Sequence, residues 1–357
     1  MFLHRIILHD FKNIPEAEVE FSPKVNCIHG SNGAGKTNLL DAIYYLSMTK
    51  SYFSSSDQYV YAHGADETTL CGFYRMDGGT EEKIAASVRR GGEKIFKRGA
   101  KTYGRFSEHI GLLPIVMVSP LDAGLINDSG EERRKYLNFI LSQIDREYLS
   151  HIQAYNQLLL QRNRLLKDDR PQELLLETFS ERMAPHAAYV HQARRDLCDR
   201  LRPLIREFYR RLSQGREDAD LAYRSDLDDT TLEALFAREA EKERVLRYTT
   251  AGIQRDDLLF RLDGHPLRRC GSHGAAEKLP AGDETRAVPF CERDIRTDSY
   301  PAARRCLRQT RHAARGRPAG SGIHARFRPD LPDRQQQGPA RPRVAAHGCA
   351  VPELPRG

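Results

Sequence analysis

Residues 30–37 read GSNGAGKT, a full match to the pattern GxxxxGK[ST] of a phosphate-binding loop. The glycines let backbone N–H groups converge on one concavity, where they surround the phosphates of a nucleotide. A helix that follows such a loop directs its partially positive N-terminus at the same anion. Strand character precedes the loop and helical spacing follows it, which a chance glycine-rich turn would not require. The sequence therefore predicts an ATP site.

Two residues of the loop have separate expected roles. Lys36 reaches the β- and γ-phosphates, and the Thr37 hydroxyl ligates Mg²⁺. The predicted cofactors are therefore ATP and Mg²⁺. The predicted nucleotide-binding residues are Gly30, Ser31, Asn32, Gly33, Ala34, Gly35, Lys36 and Thr37.

The residues around the loop indicate a mixed α/β unit. EAEVEF at 16–21 alternates charged and apolar positions, which predicts a half-buried strand. VNCIHG at 25–30 and LPIVMV at 113–118 predict short buried strands. Turn signals at 77–79 and 91–92 divide residues 69–98 into antiparallel strands. After the loop, helical spacing relates Leu39, Leu40, Ile43, Tyr44 and Leu46.

Residues 131–215 follow a different pattern, which is helical and strongly charged. Apolar residues recur there at three- and four-residue steps in two series. This predicts two or three long helices packed as an antiparallel arm or bundle. Strand character returns at 246–269, where Asp263-Gly264 predicts a hairpin turn.

Composition indicates the compartment. The chain has 357 residues, enough for about two domains. It has no apolar run long enough to predict a membrane span and no signal-peptide features. Its seven cysteines form no CxxC pair and no zinc-ligand spacing. We therefore expect a cytoplasmic protein with reduced thiols and no membrane partner.

The net charge of +7 lies in the last quarter of the chain. Residues 273–357 hold 15 Arg and one Lys against nine acidic residues, whereas residues 1–272 hold 40 basic and 40 acidic residues. Ten of the 18 prolines also lie in 273–357, where hydrophobic periodicity is lost. We expect this segment to be disordered, because it cannot bury enough apolar surface to offset its ordering entropy. Residues 1–272 give no global charge argument for DNA binding.

Five stretches, in their order and spacing, resemble the RecF family, the ABC-type ATPases of bacterial recombinational repair, whose heads are related to those of SMC proteins. They are HDFKNI between two strands, NCIHGSNGAGKTNLLDAIYYLS, KSYF at 50–53, the block SPLDAGLINDSGEERRKYLNFILSQIDREYLSHIQAYNQLLLQRNRLLK at 119–167, and GIQRDDLLF at 252–260. In the last stretch Ile253 and Gln254 depart from the family's GPHRDDL. The resemblance covers about residues 1–272.

The resemblance implies an α/β fold, an ABC-type P-loop ATPase head with an inserted α-helical arm. We expect the N-terminal part of the head at 1–130, the arm at 131–240, a return to the head with a truncated signature at 241–272, and a non-homologous basic tail at 273–357. The resemblance also implies an ATP-dependent homodimer that binds single-stranded or gapped duplex DNA. It further implies recombination mediator partners, support of recombinase loading, and roles in replication-linked repair and the SOS response.

One part of the family pattern is missing. An ABC head needs a signature loop and an apolar strand that ends in acidic residues, which hold Mg²⁺ and position the attacking water. Cys270-Gly271-Ser272 begins the signature, but His273-Gly274 follows and no acidic strand comes after it. If one base is removed at codon 273, suitable codons give SQGQQKSF. The same shift lets residues 301–311 give LLLDDVFDKLD and residues 329–338 give QIFLTDSNK.

We therefore hypothesise that residues 273–357 are a frameshifted tail. The alternatives are a natural divergence or an unrelated basic tail that binds nucleic acid by counterion release, through Arg304, Arg305, Arg315 and Arg317. With the acidic strand missing, we assign no catalytic residue and expect hydrolysis to be lost and nucleotide to bind weakly or not at all. A different class of function, a nucleotide-gated DNA-binding scaffold without ATPase turnover, stays open. An ABC transporter subunit is disfavoured by the helical block.

Charged residues outside the loop allow two interpretations each. The clusters Arg133-Arg134-Lys135 and Arg162, Arg164 and Lys167 could contact DNA phosphates, although a solvated helix face is favoured. Arg255-Asp256-Asp257 is interpreted as a structural or nucleotide-proximal element rather than an exposed turn. Asp122 is either a Q-loop residue that senses Mg²⁺ and the γ-phosphate or a helix-cap or turn residue.

Overall fold

The computed structural model describes residues 1–127, 129–168 and 171–267, together with two short strands later in the chain. The chain divides into two compact units, one formed by Met1–Ile115 with Cys291–Gly357 and the other by Val116–Phe290. Of the segment 273–357, expected to be disordered, the structure describes the strands Ile323–His324 and Arg343–Ala346. The remainder of that expectation lies outside the described residues.

The first unit contains a six-stranded antiparallel sheet of order β2-β1-β4-β5-β6-β7. The strands of this sheet are β1 Phe2–Phe11, β2 Ile14–Glu20, β4 Glu67–Arg75, β5 Glu81–Arg89, β6 Lys94–Arg98 and β7 Lys101–Thr102. Strand β3, Cys27–His29, does not belong to it. The half-buried strand predicted at 16–21 is confirmed, since Ala17 and Val19 of β2 are buried whereas Glu16, Glu18 and Glu20 are exposed.

The antiparallel strands predicted over residues 69–98 are confirmed as β4, β5 and β6. Both predicted turns lie between them, at 77–79 and at 91–92. Gly79, Gly91 and Gly92 adopt φ of 82°, 104° and 94°, which side chains disfavour. Glycine is therefore the residue that these two turns require.

Helix α1, Lys36–Met48, confirms the helix predicted after the loop. Leu39, Ala42, Tyr45 and Leu46 lie in the core of the first unit, where they join apolar residues of β1 and β4. The pattern was less accurate for Leu40, which is 42% exposed. The sheet and α1 thus share one core, and this core fixes the start of the helix next to the glycine loop.

Two predictions of buried strands need correction. The segment VNCIHG forms β3, but Cys27 and His29 are exposed, so the strand is confirmed and its burial is wrong. The segment LPIVMV at 113–118 forms no strand, and Val116 and Val118 are 69% and 49% exposed. An apolar run becomes a strand only where a neighbouring strand takes its backbone hydrogen bonds. No described strand pairs with residues 113–118.

The second unit is mainly helical and confirms the helices predicted over 131–215. Its elements are α2 Gly124–Asn127, α3 Gly130–Ile144, α4 Arg146–Leu165, α5 Glu173–Leu212, β8 Ala219–Arg224, α6 Leu232–Leu246, β9 Asp257–Leu262 and β10 His265–Pro266. The strands form a three-stranded antiparallel sheet of order β10-β9-β8. The predicted hairpin turn at Asp263-Gly264 joins β9 to β10.

Helix α5 is 40 residues long and contains Pro185 and Pro203 in its interior. A proline inside a helix removes a backbone hydrogen bond and costs about 3 kcal/mol. Packing against α4 compensates, because Met183 and Ala187 are fully buried in the same core as Tyr148. Within the range 241–272, expected to return to the head, β9 pairs with β8 and β10 pairs with β9 in the second unit.

Two strands beyond residue 267 form a small three-stranded sheet with β3 at one edge. Strand β11 is Ile323–His324 and strand β12 is Arg343–Ala346. β12 pairs antiparallel with both β11 and β3. Across the described residues, no helix is long and apolar enough to cross a membrane.

Candidate nucleotide-binding site

The glycine loop connects β3 to α1, and its backbone has the conformation that the motif requires. Gly30, Gly33 and Gly35 adopt φ of 150°, 81° and 91°. A Cβ at Gly35 would also lie 3.1 Å from both Asn13 Oδ1 and Ile14 Cγ1. Position 35 thus disfavours a side chain for two independent reasons, backbone conformation and space.

The N-terminus of α1 is arranged to receive an anion. Its N-cap residue is Gly35, no side chain caps the helix, and its first turn contains no acidic residue. The first N–H groups of a helix have no partner within the helix, and the helix dipole adds positive charge there. A phosphate group satisfies both conditions.

Lys36 and Thr37 lie on the first turn of α1, as the sequence predicted. The ammonium group of Lys36 donates to the carbonyl oxygens of Gly30 and Ser31, at 2.9 and 2.8 Å. This lysine therefore folds back over its own loop, and its charge lies beside the carbonyl oxygens of residues 30 and 31. Thr37 is exposed, so its hydroxyl is accessible to a ligand.

Asn13 supports the loop and was not assigned a role from the sequence. Its amide Nδ2 donates to the Gly33 carbonyl at 2.7 Å, and Asn38 Nδ2 donates to Asn13 Oδ1 at 2.6 Å. Asn13 lies in the turn between β1 and β2, so it connects the sheet to the loop and to α1. Asn13 lies within the stretch HDFKNI, but the spacing of residues in the sequence does not show that this turn reaches residue 33.

A buried ion pair lies directly beside this turn. Lys12 Nζ is 2.6 Å from the carboxylate of Asp41, which is fully buried on α1. The Ser51 hydroxyl and the Tyr52 backbone N–H each donate to the same carboxylate at 2.7 Å. Asp41 therefore joins three segments that sequence analysis treated separately: HDFKNI, α1 and KSYF. These contacts hold the residue that precedes Asn13.

The basic cluster at 133–135 is largely internal, which corrects both sequence interpretations for Arg133. Arg133 is 6% exposed and its Nε lies 2.6 Å from Asp257 Oδ1. Arg134 donates to the carbonyl oxygen of Asp256 at 2.9 Å, and burial lowers the pKa of its guanidinium. Lys135 is exposed and pairs with two glutamates of its own helix. Of the three, Lys135 alone fits the solvated-face interpretation.

Arg162 needs the same correction, since it is 3% exposed and its Nη1 lies 2.7 Å from Glu243. Arg164 and Lys167 are exposed. The described contacts of Asp256 and Asp257, which follow Arg255, are ion pairs that stabilise the second unit. Asp256 is fully buried and paired with Arg194 at 2.6 Å, and burial raises the pKa of its carboxyl despite that charge.

Asp122 accepts a hydrogen bond from the Ser119 backbone N–H at 2.7 Å, which is the geometry of the turn residue considered from the sequence. Its Q-loop role stays a prediction. Within residues 1–127, 129–168 and 171–267, no three His, Cys, Asp or Glu side chains form a metal-binding group. The rest of the signature and the acidic strand would be expected within residues 273–357, a segment that lies outside those ranges. The described cysteines, Cys27, Cys71 and Cys198, are free thiols.

Comparison with known proteins identifies relatives. The family described as "RecF/RecN/SMC N terminal domain" matches residues 2–71. The DNA replication and repair protein RecF of Parabacteroides distasonis is 42% identical over 274 residues, which cover 77% of this chain and 75% of the relative. The DNA replication and repair protein RecF of Phocaeicola vulgatus is 40% identical over 275 residues, which cover 77% of this chain and 74% of the relative. A solved structure titled "Structure of the recombination mediator protein RecF-ATP in RecFOR pathway" is 27% identical, with a TM-score of 0.73, and covers 78% of this chain and 79% of that one.

Proposed function

The chain belongs to the RecF family of DNA replication and repair proteins, and from this premise we propose that its loop at 30–37 is built to bind the phosphates of ATP. The observation that carries the proposal is the uncapped, acid-free N-terminus of α1 behind three glycines of positive φ. A related protein of the same fold, 27% identical, has been solved as the complex named RecF-ATP. In this chain, Lys36 exchanges its two carbonyl acceptors for phosphate oxygens when nucleotide binds.

The site also fits Mg²⁺ as part of the nucleotide complex. The exposed Thr37 offers a hydroxyl oxygen, the hard ligand type that Mg²⁺ takes in such loops. The ion would neutralise charge on the β- and γ-phosphates. The chain's own residues do the rest: the loop N–H groups bind the anion, and Asn13 keeps the loop in position through Gly33.

We infer that an intact relative of this chain acts as an ATP-dependent homodimer on single-stranded or gapped duplex DNA in the cytoplasm. It would work with recombination mediator proteins, support recombinase loading and contribute to replication-linked repair and the SOS response. The names of the relatives support the repair assignment at the level of the family. Of the charged clusters considered for DNA contact, Arg133 and Arg162 are buried in ion pairs, so they are not part of such a surface.

The proposal for this particular chain is that hydrolysis is lost and nucleotide is bound weakly. Sequence similarity to the RecF of Parabacteroides distasonis extends over 274 residues and leaves about a quarter of each chain unmatched. That length agrees with a frame that is lost at codon 273. The residues that position the attacking water would be lost with it. The second candidate, a nucleotide-gated DNA-binding scaffold without turnover, requires that the chain bind ATP firmly as it stands.

Lys36 provides the test of the loop. We expect Lys36→Ala to remove a charge-assisted interaction worth about 1.5–3 kcal/mol, so ATP affinity falls at least roughly tenfold. The measurement is equilibrium binding of a fluorescent ATP analogue in the presence of Mg²⁺. The protein is expressed from a gene in which one base has been removed at codon 273. Lys97→Ala, an exposed lysine of β6, is the matched control. Equal affinities for the two variants would reject the loop as the phosphate site.

A further inference from the structure

The second unit brings two histidines from neighbouring helices into direct contact. His151 lies on α4 and His186 on α5, and their Nδ1 atoms are 3.0 Å apart. The two rings are centred 5.0 Å apart at an angle of 67°. Both residues are half-buried, so solvent reaches the pair. Neither residue belongs to the nucleotide site, and neither was assigned a role from the sequence, although His151 lies within the stretch at 119–167.

We propose that His151 and His186 together bind one late first-row divalent cation, of the Ni²⁺ or Zn²⁺ class, in a chelate that joins α4 to α5. Imidazole nitrogen is a preferred ligand of these ions, whereas Mg²⁺ prefers oxygen. With metal–nitrogen bonds of about 2.0–2.1 Å, two adjacent ligands lie roughly 3.0–3.4 Å apart. The observed separation of the two Nδ1 atoms, 3.0 Å, falls at this spacing.

The pair is held in place by contacts that do not depend on a metal. The His151 ring stacks on Tyr189, with ring centroids 4.3 Å apart and planes 6° apart. The Tyr189 hydroxyl donates to Asp145 at 3.0 Å and to Glu147 at 3.2 Å. The residues next to the histidines, Ile152 and Ala187, are in the core between the helices. Chelation therefore does not have to order the chain, which lowers its entropic cost.

The charges around the pair set its affinity. Burial, and next the neighbouring His151, lower the pKa of His186, so the neutral imidazole that binds metals is the dominant form near pH 7. Arg182 also contributes to this lowering and opposes a cation, while Asp145 and Glu147 attract one. No third His, Cys, Asp or Glu of the described residues completes the group. Water fills the remaining positions, and we expect a site that a chelator such as EDTA empties.

Ni²⁺ is the probe for the test, with untagged full-length protein and Cys27→Ser as background to remove a thiol that is exposed among the described residues. Isothermal titration at pH 7.5 should show one equivalent of Ni²⁺ bound. His151→Gln and His186→Gln should each weaken it at least tenfold, while His63→Gln, an exposed histidine of the first unit, leaves it unchanged. Because protons compete for the same nitrogens, binding should also be lost at pH 5.

Thermal unfolding followed by circular dichroism gives a second readout. Ni²⁺ should raise the Tm of the background protein and of His63→Gln, because a ligand that binds only the folded state stabilises it. It should not raise the Tm of either pair variant. If the background protein binds no Ni²⁺, or if both pair variants bind it as tightly as His63→Gln, the contact is a hydrogen bond between two imidazoles and the proposal is wrong.

Discussion

Arg194 of α5 offers a prediction whose size can be worked from the structure. Its side chain is 2% exposed and pairs with the fully buried carboxylate of Asp256 at 2.6 Å. The same guanidinium donates to the Ile253 carbonyl at 2.8 Å, to Asn138 Oδ1 at 3.0 Å and to the Tyr148 hydroxyl at 3.1 Å. Replacing it by methionine keeps the volume and the helix but leaves the Asp256 charge without its partner.

The expected loss in the free energy of unfolding for Arg194→Met is about 3–5 kcal/mol, the cost of breaking a buried ion pair. The adjacent Arg195 is the control, because it pairs with Asp228 near the surface. The side chain of Arg195 is 40% exposed and that of Asp228 is 33% exposed. Exposed pairs contribute about 0–1 kcal/mol. Combining Arg194→Met with Asp256→Leu removes both charges, so the double variant should be more stable than the sum of the single losses predicts.

Urea unfolding followed by far-UV circular dichroism is the assay, since the second unit is mainly helical and the chain contains no tryptophan. The pair of single variants, Arg194→Met and Arg195→Met, is compared at equal protein concentration. If Arg194→Met loses no more stability than Arg195→Met, or if the double variant is additive, the buried network does not hold the segment at 252–257.

Three further predictions concern the first unit. Gly35→Ala should destabilise the folded chain by about 1–2 kcal/mol from its φ of 91°, and further through the 3.1 Å contacts with Asn13 and Ile14; Gly64→Ala, at φ 89° in open space, should lose less, and equal urea midpoints would contradict this. Asn13→Ala removes two hydrogen bonds, worth about 1–3 kcal/mol together, and should lower ATP affinity of the in-frame chain in the fluorescent-analogue assay; unchanged affinity would remove its supporting role. Burial lowers the pKa of His109 below its usual value near 6.5, so the unfolded chain binds more protons and stability should fall as the pH drops from about 6.5 through the lowered pKa; His109→Gln should show a smaller change in urea midpoint between pH 7.5 and 5.5, and an equal change would contradict the assignment.

Local patterns were enough to predict the elements that carry the site. The loop at 30–37, helix α1, the half-buried β2 and the turns at 77–79 and 91–92 all follow from residues close together in the sequence. Two or three long helices were predicted over 131–215, with one apolar series running from Met183 past Pro185 to Leu212, but the local pattern gives no reason why α5 continues through that proline. A proline indicates a break locally, and the packing of Met183 and Ala187 that outweighs it is tertiary.

The supporting residues could not be predicted because their partners are distant in the sequence. Arg133 pairs with Asp257, 124 residues away, and Asn13 bonds to Gly33 across 20 residues. A charge pattern shows only neighbours on one helix face, so Arg133 resembled a solvated residue. In the same way, LPIVMV had the composition of a buried strand, but composition does not show whether another strand is available to pair with it.

We propose that residues 1–272 form a RecF-type nucleotide-binding segment and that the reading frame is lost at codon 273. The direct test compares two proteins, this chain and the chain expressed after one base is removed from the gene at that codon. Mg²⁺-dependent ATP binding and ATP turnover are measured for both. We predict weak binding and no turnover before the change, and firm binding with turnover after it. Firm binding by the unchanged chain would favour the scaffold, and ordinary ATPase turnover by it would contradict the loss of hydrolysis and of the reading frame.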